Sequence, residues 1–293
     1  MSDPNSDPDT NTPVVRDDRI PDRTAAGGGT ADGVAADDHA GIGSSTASPQ
    51  GAGHTGSGPY LLPLATTEDE RRRGARVALL PVGSFEQHGP YLPLATDTVV
   101  ACTIADAVAA AYPVLRLPPV TISCSHEHAD WPGTVSISAA TLYAIVRDVA
   151  ESLRRSGIDR LVVVNGHGGN YVLGNVVQEA SAEGRRMALF PGPADWDAAL
   201  AAAGVETSAW DDMHAGELET SILLHAHPSL VRPGYEAGDH LAGDRRHLLT
   251  LGMAEYTESG IIGRPSLASA RKGQGMLDSL VKSFAECLAV LER

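Results

Sequence analysis

Glu86 and His88 stand two residues apart in the segment Gly83-Ser-Phe-Glu-Gln-His-Gly-Pro90. In an extended segment, side chains two apart project to the same side. This carboxylate and this imidazole therefore address one pocket. Asp97 follows eleven residues after Glu86, just before a helix predicted to start near Thr98, and its carboxylate can swing back toward them. His167, in Asn165-Gly-His-Gly-Gly-Asn170, arrives at the end of another predicted strand. Carboxylates and imidazoles in one place suit Zn²⁺ or Mn²⁺, and a shared carboxylate can bridge two such ions. The competing account is ordinary polarity, because a single His is commonly a hydrogen-bonded core residue. Spacing by itself leaves both accounts open.

Other chemistries fit poorly. The loop Asn165–Asn170 has neither the GxGxxG nor the GxxxxGK[ST] pattern of a phosphate cradle. Its glycines serve a sharp turn that brings His167 into a crowded site. There is no Gly-x-Ser-x-Gly elbow, and neither Ser84 nor Ser125 has a setting for nucleophilic work.

The elements that must carry these residues alternate. Short apolar runs at 77–82, 114–117, 160–164 and 187–190 predict strands. Helical spacing covers 98–111, 138–156 and 171–184, with Leu142, Ile145, Val146, Val149 and Leu153 on one face of the second. Strands alternating with helices predict an α/β fold, a three-layer sandwich whose mostly parallel sheet is covered by helices on both faces. In such sheets sites gather at the carboxyl ends of strands, and both polar motifs sit at such ends. The His225/His227 pair, before Pro228, fits a helix C-terminus. Arg271-Lys-Gly273 reads as a solvated helix start.

Residues 1–58 are rich in Asp, Pro, Gly, Ser, Thr and Ala without apolar period, which predicts a disordered acidic tail ahead of one domain over 59–293. The net charge of −15 repels phosphate backbones, so nucleic-acid binding is not expected. No stretch is apolar for the roughly 18 residues of a membrane span. Three cysteines without a CxxC pair fit a reducing compartment, and no secretory signal is visible. The expected location is the cytoplasm.

Four motifs carry a resemblance. Pro81-Val-Gly-Ser-Phe-Glu-Gln-His-Gly89 with Asp97, Trp131-Pro-Gly-Thr134, Asn165-Gly-His167 with Asn170, and His214-Ala-Gly-Glu-Leu-Glu-Thr-Ser221 resemble the creatininase family in order and spacing, from about Leu79 to the C-terminus. The resemblance implies two divalent ions per chain, Zn or Mn, with Fe also admitted. It implies that Glu86 binds the first ion, His88 the second, that Asp97 bridges them and that His167 completes the first set. It marks His214 as the catalytic His. Ser125 is similar to the family's substrate-contacting Ser, and Trp196 with the pair Trp210-Asp211 to its aromatic wall and orienting Asp; for the Trp residues core packing is the competing account. Glu127 and His128, beside the Trp131-Pro-Gly turn, are candidate substrate contacts, weighed against loop polarity.

One departure stands out. Creatinine-hydrolysing members carry a carboxylate ligand two residues after the His of Asn-Gly-His, and here that place is Gly169. Glu217, three residues after His214, is the expected replacement. Glu219 competes, with the alternative role of orienting a site histidine. The resemblance implies a metal-dependent amidohydrolase that cleaves an amide, cyclic amide or formamide C–N bond, other than an ordinary peptide bond, in a small molecule with a metal-activated water. The Trp residues and Trp210-Asp211 favour a compact planar substrate like creatinine, whereas Gly169 argues against creatinine itself. The alternatives are a metallopeptidase trimming a short peptide in peptide-derived cofactor maturation, and a non-catalytic metal-binding scaffold. Members of the family assemble into hexamers, so a homo-oligomer is expected.

Overall fold

The computed structural model describes residues 62–293. The tail expected over 1–58 lies outside the described residues. Four strands form one parallel sheet: β1 Val77–Val82, β2 Leu115–Arg116, β3 Arg160–Asn165 and β4 Arg186–Phe190, in the order β2-β1-β3-β4. Among the described residues eight α-helices accompany it: α1 Thr67–Arg73, α2 Thr96–Ala111, α3 Ala139–Arg155, α4 Val172–Ala182, α5 Pro193–Ala203, α6 Glu217–Ala226, α7 Leu248–Leu251 and α8 Ala270–Leu291.

The central strands read as continuous apolar runs because both faces are covered. Val77, Leu79, Val162 and Val164 pack with Val100 and Ile104 of α2, Ile222 of α6 and Phe284 of α8. The intervening Ala78, Leu80, Leu161 and Val163 pack with Leu142 and Val146 of α3 and Leu173 and Val176 of α4. The period of two thus splits one sheet between two cores, and the three-layer α/β architecture is as the pattern predicts. β2 is shorter than the run at 114–117 because Pro118 and Pro119 cannot donate to the ladder. Pairing resumes past them, where Val120 N donates to the Pro81 carbonyl and Gly83 N to the Val120 carbonyl.

α2 starts two residues earlier than its spacing suggests. Asp97 therefore lies inside the first turn, where a carboxylate is favoured by the exposed N–H groups. The strand ends reach this turn closely. A Cβ on Gly83, just past β1, would lie 2.3 Å from Thr98 Cα, and one on Gly166, just past β3, 2.3 Å from the Asp97 carbonyl oxygen. Only glycine lets both strands deliver their side chains beside Asp97. Gly166→Ala should cost about 1–3 kcal/mol of stability by overpacking, and urea unfolding would read it. An unchanged midpoint would contradict the close approach.

Candidate active site

The site lies at the carboxyl ends of β1 and β3, over the N-terminus of α2, with one wall from the segment leading into α6. Glu86, His88 and Asp97 are buried to within 1% of completely, and His128, His167 and His214 are nearly so. His88, His128 and His214 stack at 4.1 and 4.4 Å between ring centroids.

Backbone carbonyls set the tautomers. His88 Nδ1 donates to the Glu86 carbonyl at 3.1 Å, His167 Nε2 to the Cys124 carbonyl at 2.9 Å, and His214 Nε2 to the Gln87 carbonyl at 2.6 Å. A carbonyl only accepts, so each of these nitrogens carries the proton. Each ring then turns its other nitrogen inward. His167 Nδ1 faces Glu86 Oε1 at 3.2 Å and Asp97 Oδ2 at 3.1 Å. His88 Nε2 faces Asp97 Oδ1 at 3.0 Å and Glu219 Oε1 at 3.7 Å. His214 Nδ1 faces Glu86 Oε1 at 3.7 Å. The two oxygens of Asp97 thus address two different imidazoles.

His128 differs. Gln87 Oε1 accepts from Gly89 N at 2.9 Å, while its Nε2 donates to the Gly260 carbonyl at 3.0 Å and to His128 Nδ1 at 2.9 Å. That leaves the His128 proton on Nε2, 3.2 Å from Glu86 Oε1. Burial, then the neighbouring His214, His167 and His88, push its pKa down and keep it neutral. His128 is a donor beside Glu86 and has no lone pair to offer a cation there.

Glu86 Oε1 and Asp97 Oδ2 are buried without an aligned hydrogen-bond donor. Burying carboxylate oxygens that way is costly unless a cation answers them. In the metal-free chain protons answer: burial opposes charge on His88 and His167, but Asp97 with Glu219, and Glu86 with Asp97, outweigh it and hold both pKa values well above the usual. Asp97 is held well below its usual value, against burial, by His88 and His167. A tetrahedral Zn²⁺ with bonds near 2.0–2.2 Å spaces its donors about 3.3–3.6 Å apart. The separations of 3.0–3.7 Å quoted above match that spacing. By these separations Glu86, Asp97 and His167 could hold one ion and His88, Asp97 and Glu219 a second; the ligand atoms of Glu86, His88 and Asp97, and those of His88, His214 and Glu219, also lie close enough to share one.

Glu217 is a correction. Its carboxylate is fully buried elsewhere, accepting from Glu206 N, Thr207 N and Thr207 Oγ1, with Lys272 Nζ at 2.5 Å. It is not aimed at the cluster. Glu219 is, with Oε2 held by Ala215 N at 2.6 Å. Lys272 is correspondingly buried, so the start of α8 is not the solvated stretch expected.

A cavity of about 380 Å³ opens from the cluster, lined by Glu127, His128, His167, His214 and Glu219 and, at the mouth, by Tyr171, Trp210, Arg245, Leu248 and Leu249. Three expected substrate contacts are absent from it. Ser125 is completely buried behind Glu86, its hydroxyl against that of Ser84, which donates to Glu86 Oε2 at 2.8 Å. Trp196 packs against the apolar core beside α5 residues Ala199 and Ala203. Asp211 accepts from Ser208 Oγ at 2.7 Å at the surface. Trp210 does line the cavity, 58% exposed, with the Arg245 guanidinium 4.5 Å from its ring. Gln87 and Tyr171 were not expected at the site. Gln87 had a signal, its place between Glu86 and His88 in the motif.

The fold and the site together define the class, a three-layer α/β protein with a buried carboxylate–imidazole cluster at its strand ends. Residues 64–288 match the creatininase family, described as creatinine amidohydrolase. The chain belongs to the creatininase family. It is 36% identical over 223 residues to a mycofactocin precursor peptide peptidase of Mycolicibacterium smegmatis, covering 72% of this chain and 83% of that one. It is 27% identical over 236 residues to the creatinine amidohydrolase of Pseudomonas putida, covering 73% and 89%. A solved structure described as "Creatininase Mn" superposes with a TM-score of 0.64 at 26% identity, covering 77% of this chain and 95% of that one. Among the described residues no helix is long and apolar enough to cross a membrane.

Proposed function

We propose that this protein is a metal-dependent peptidase that cleaves a C–N bond near one end of a short peptide, in the manner of maturation of a peptide-derived cofactor. The observation that carries this reading is the missing aromatic wall. With Trp196 in the core, Asp211 turned to Ser208 and Trp210 out at the rim, a small planar ring would find nothing on its faces. The mouth is instead formed by exposed Tyr171, Trp210 and Leu249, over which an extended chain can lie. The higher identity to the precursor peptide peptidase points the same way.

Glu86, Asp97 and His167 would hold one divalent ion and His88, Asp97 and Glu219 the second, which leaves His214 Nδ1 to handle protons. Mn²⁺ and Zn²⁺ suit this donor set. Such ions supply hydroxide at neutral pH and polarise the scissile carbonyl. His214 lines the cavity with Nδ1 inward and Nε2–H fixed on the Gln87 carbonyl. Burial, then His88, lowers its pKa, so it enters neutral, takes at Nδ1 the proton given up by the attacking water and hands it to the leaving nitrogen. Glu127 and His128 line the same cavity.

The test is a panel of short peptides, creatinine, cyclic amides and formamides, with Mn²⁺ or Zn²⁺ and with a chelator. Chelator-sensitive release of a terminal fragment from peptides is expected. Turnover of creatinine or formamides without peptides would restore the small-amide reading. No chelator-sensitive turnover of anything would leave a metal-binding scaffold. A homo-oligomer, hexameric by resemblance, is the expected assembly, and light scattering reads it.

A further inference from the structure

Gly169 stands where creatinine-hydrolysing relatives would place a carboxylate, and the space above its Cα is already filled. A Cβ built there would lie 2.1 Å from Glu127 Oε1, 2.4 Å from His167 Nε2 and 3.0 Å from the Cys124 carbonyl oxygen. No side chain at 169 is compatible with His167 and Glu127 as they sit.

Glu127 comes from across the cavity, on the short 3-10 turn His126–His128. Its side chain is 11% exposed and its Oε1 stands 3.6 Å from His167 Nε2. That is the protonated nitrogen, the one donating to the Cys124 carbonyl. The other nitrogen, Nδ1, faces Glu86 and Asp97. Glu127 therefore lies behind the ring, on the side away from the proposed cation. A negative charge there favours the Nε2–H tautomer and makes Nδ1 a stronger donor, the role that outer carboxylates have for metal-bound histidines.

We propose that Glu127 is a positioning residue for His167. The carboxylate absent at 169 is supplied from residue 127, and it acts through the histidine and not on the ion. The inference rests on the reading of the cluster as a metal site. It also gives Gly169 a reason other than loss of a ligand: the glycine is the seat for Glu127.

The experiment uses the full chain with Glu127→Gln, Glu127→Asp and Gly169→Ala. Zn²⁺ and Mn²⁺ affinities are measured by competition with a fluorescent chelator, and thermal unfolding is measured on the metal-free proteins. Glu127→Gln should weaken binding about 10- to 100-fold with the number of ions at saturation unchanged. Its metal-free Tm should move by no more than about 2 °C. Glu127→Asp should recover most of the affinity, and Gly169→Ala, with Glu127 intact, should lose it. Two results would overturn the proposal: a Glu127→Gln affinity within about two-fold of wild type, or a loss of bound ions at saturation, which would make Glu127 a ligand. If the wild-type chain binds neither ion, the cluster reading itself falls and takes this inference with it.

Discussion

Lys272→Met is expected to lower the unfolding free energy by about 3–5 kcal/mol, the range for a buried ion pair that loses one partner. Lys272 Nζ contacts Glu217 Oε1 at 2.5 Å, Glu206 Oε1 at 3.1 Å and the Leu267 carbonyl at 2.9 Å. Methionine fills the same volume without the charge. Glu217 would keep its hydrogen bonds from Glu206 and Thr207 but would be an uncompensated buried anion. The pair also fixes the pH range of the effect. Burial raises the Glu217 pKa, but Lys272 and Thr207 outweigh it, and the net shift is downward. Its contribution is therefore full above the unfolded value of about 4.3 and is lost as pH falls through the folded value. Burial lowers the Lys272 pKa, but Glu217 and Glu206 outweigh it. That contribution is full below the unfolded value of about 10.4 and is lost only above it. Urea unfolding of both proteins across this range should show a constant gap at neutral pH that closes in acid. A gap under about 1 kcal/mol at pH 7 would mean that solvent reaches the pair. Metal content should be untouched, since neither residue faces the cluster.

Asp97→Asn is expected to act first on the site, with a smaller cost to the metal-free fold. Each Asp97 oxygen faces a different imidazole nitrogen, so both halves of the cluster lose a charged donor at once. Affinity for Mn²⁺ and Zn²⁺ should fall by more than about 100-fold, beyond what outer partners command, and hydrolysis should fall with it. In the metal-free protein the amide also removes the charge that His88 and His167 share, the charge that, against burial, helps hold their pKa values up while theirs hold that of Asp97 down. The metal-free protein should therefore unfold more easily at neutral pH, by about 1–3 kcal/mol, less than for Lys272→Met because an imidazole can release its proton. Retained affinity would remove Asp97 from the centre of the site.

The strands, both covered faces of the sheet and the main cluster were legible because their signals are local. β1 and β3 are short apolar runs, and Glu86 and His88 share a side by the period of two. The misses came from information held elsewhere in the chain. Glu217 and Glu219 are two residues apart on α6, about 200° around the axis, so only one can face the site. Nothing before the helix says which. The partner that claims Glu217 is Lys272, on another helix. Ser125 meets Ser84 only in three dimensions. Trp196 was legible in retrospect, since Trp196, Ala199 and Ala203 form a helical stripe at i, i+3 and i+7. Gln87 points away from its two neighbours by the same alternation that joins them, and so escaped notice.

The acceptors that orient His88, His167 and His214 are all main-chain oxygens. No replacement of a neighbouring side chain abolishes them; they persist for as long as the chain path persists. The mouth of the cavity is made otherwise, from Tyr171, Trp210, Leu248 and Leu249 on turns and helix ends. Descent can therefore rewrite the mouth, and even a position such as Gly169, while transmitting the orientation of these three histidines unaltered. Relatives named for creatinine hydrolysis and for precursor-peptide cleavage can diverge in diet while keeping these rings aimed alike, because that aim is inherited with the backbone.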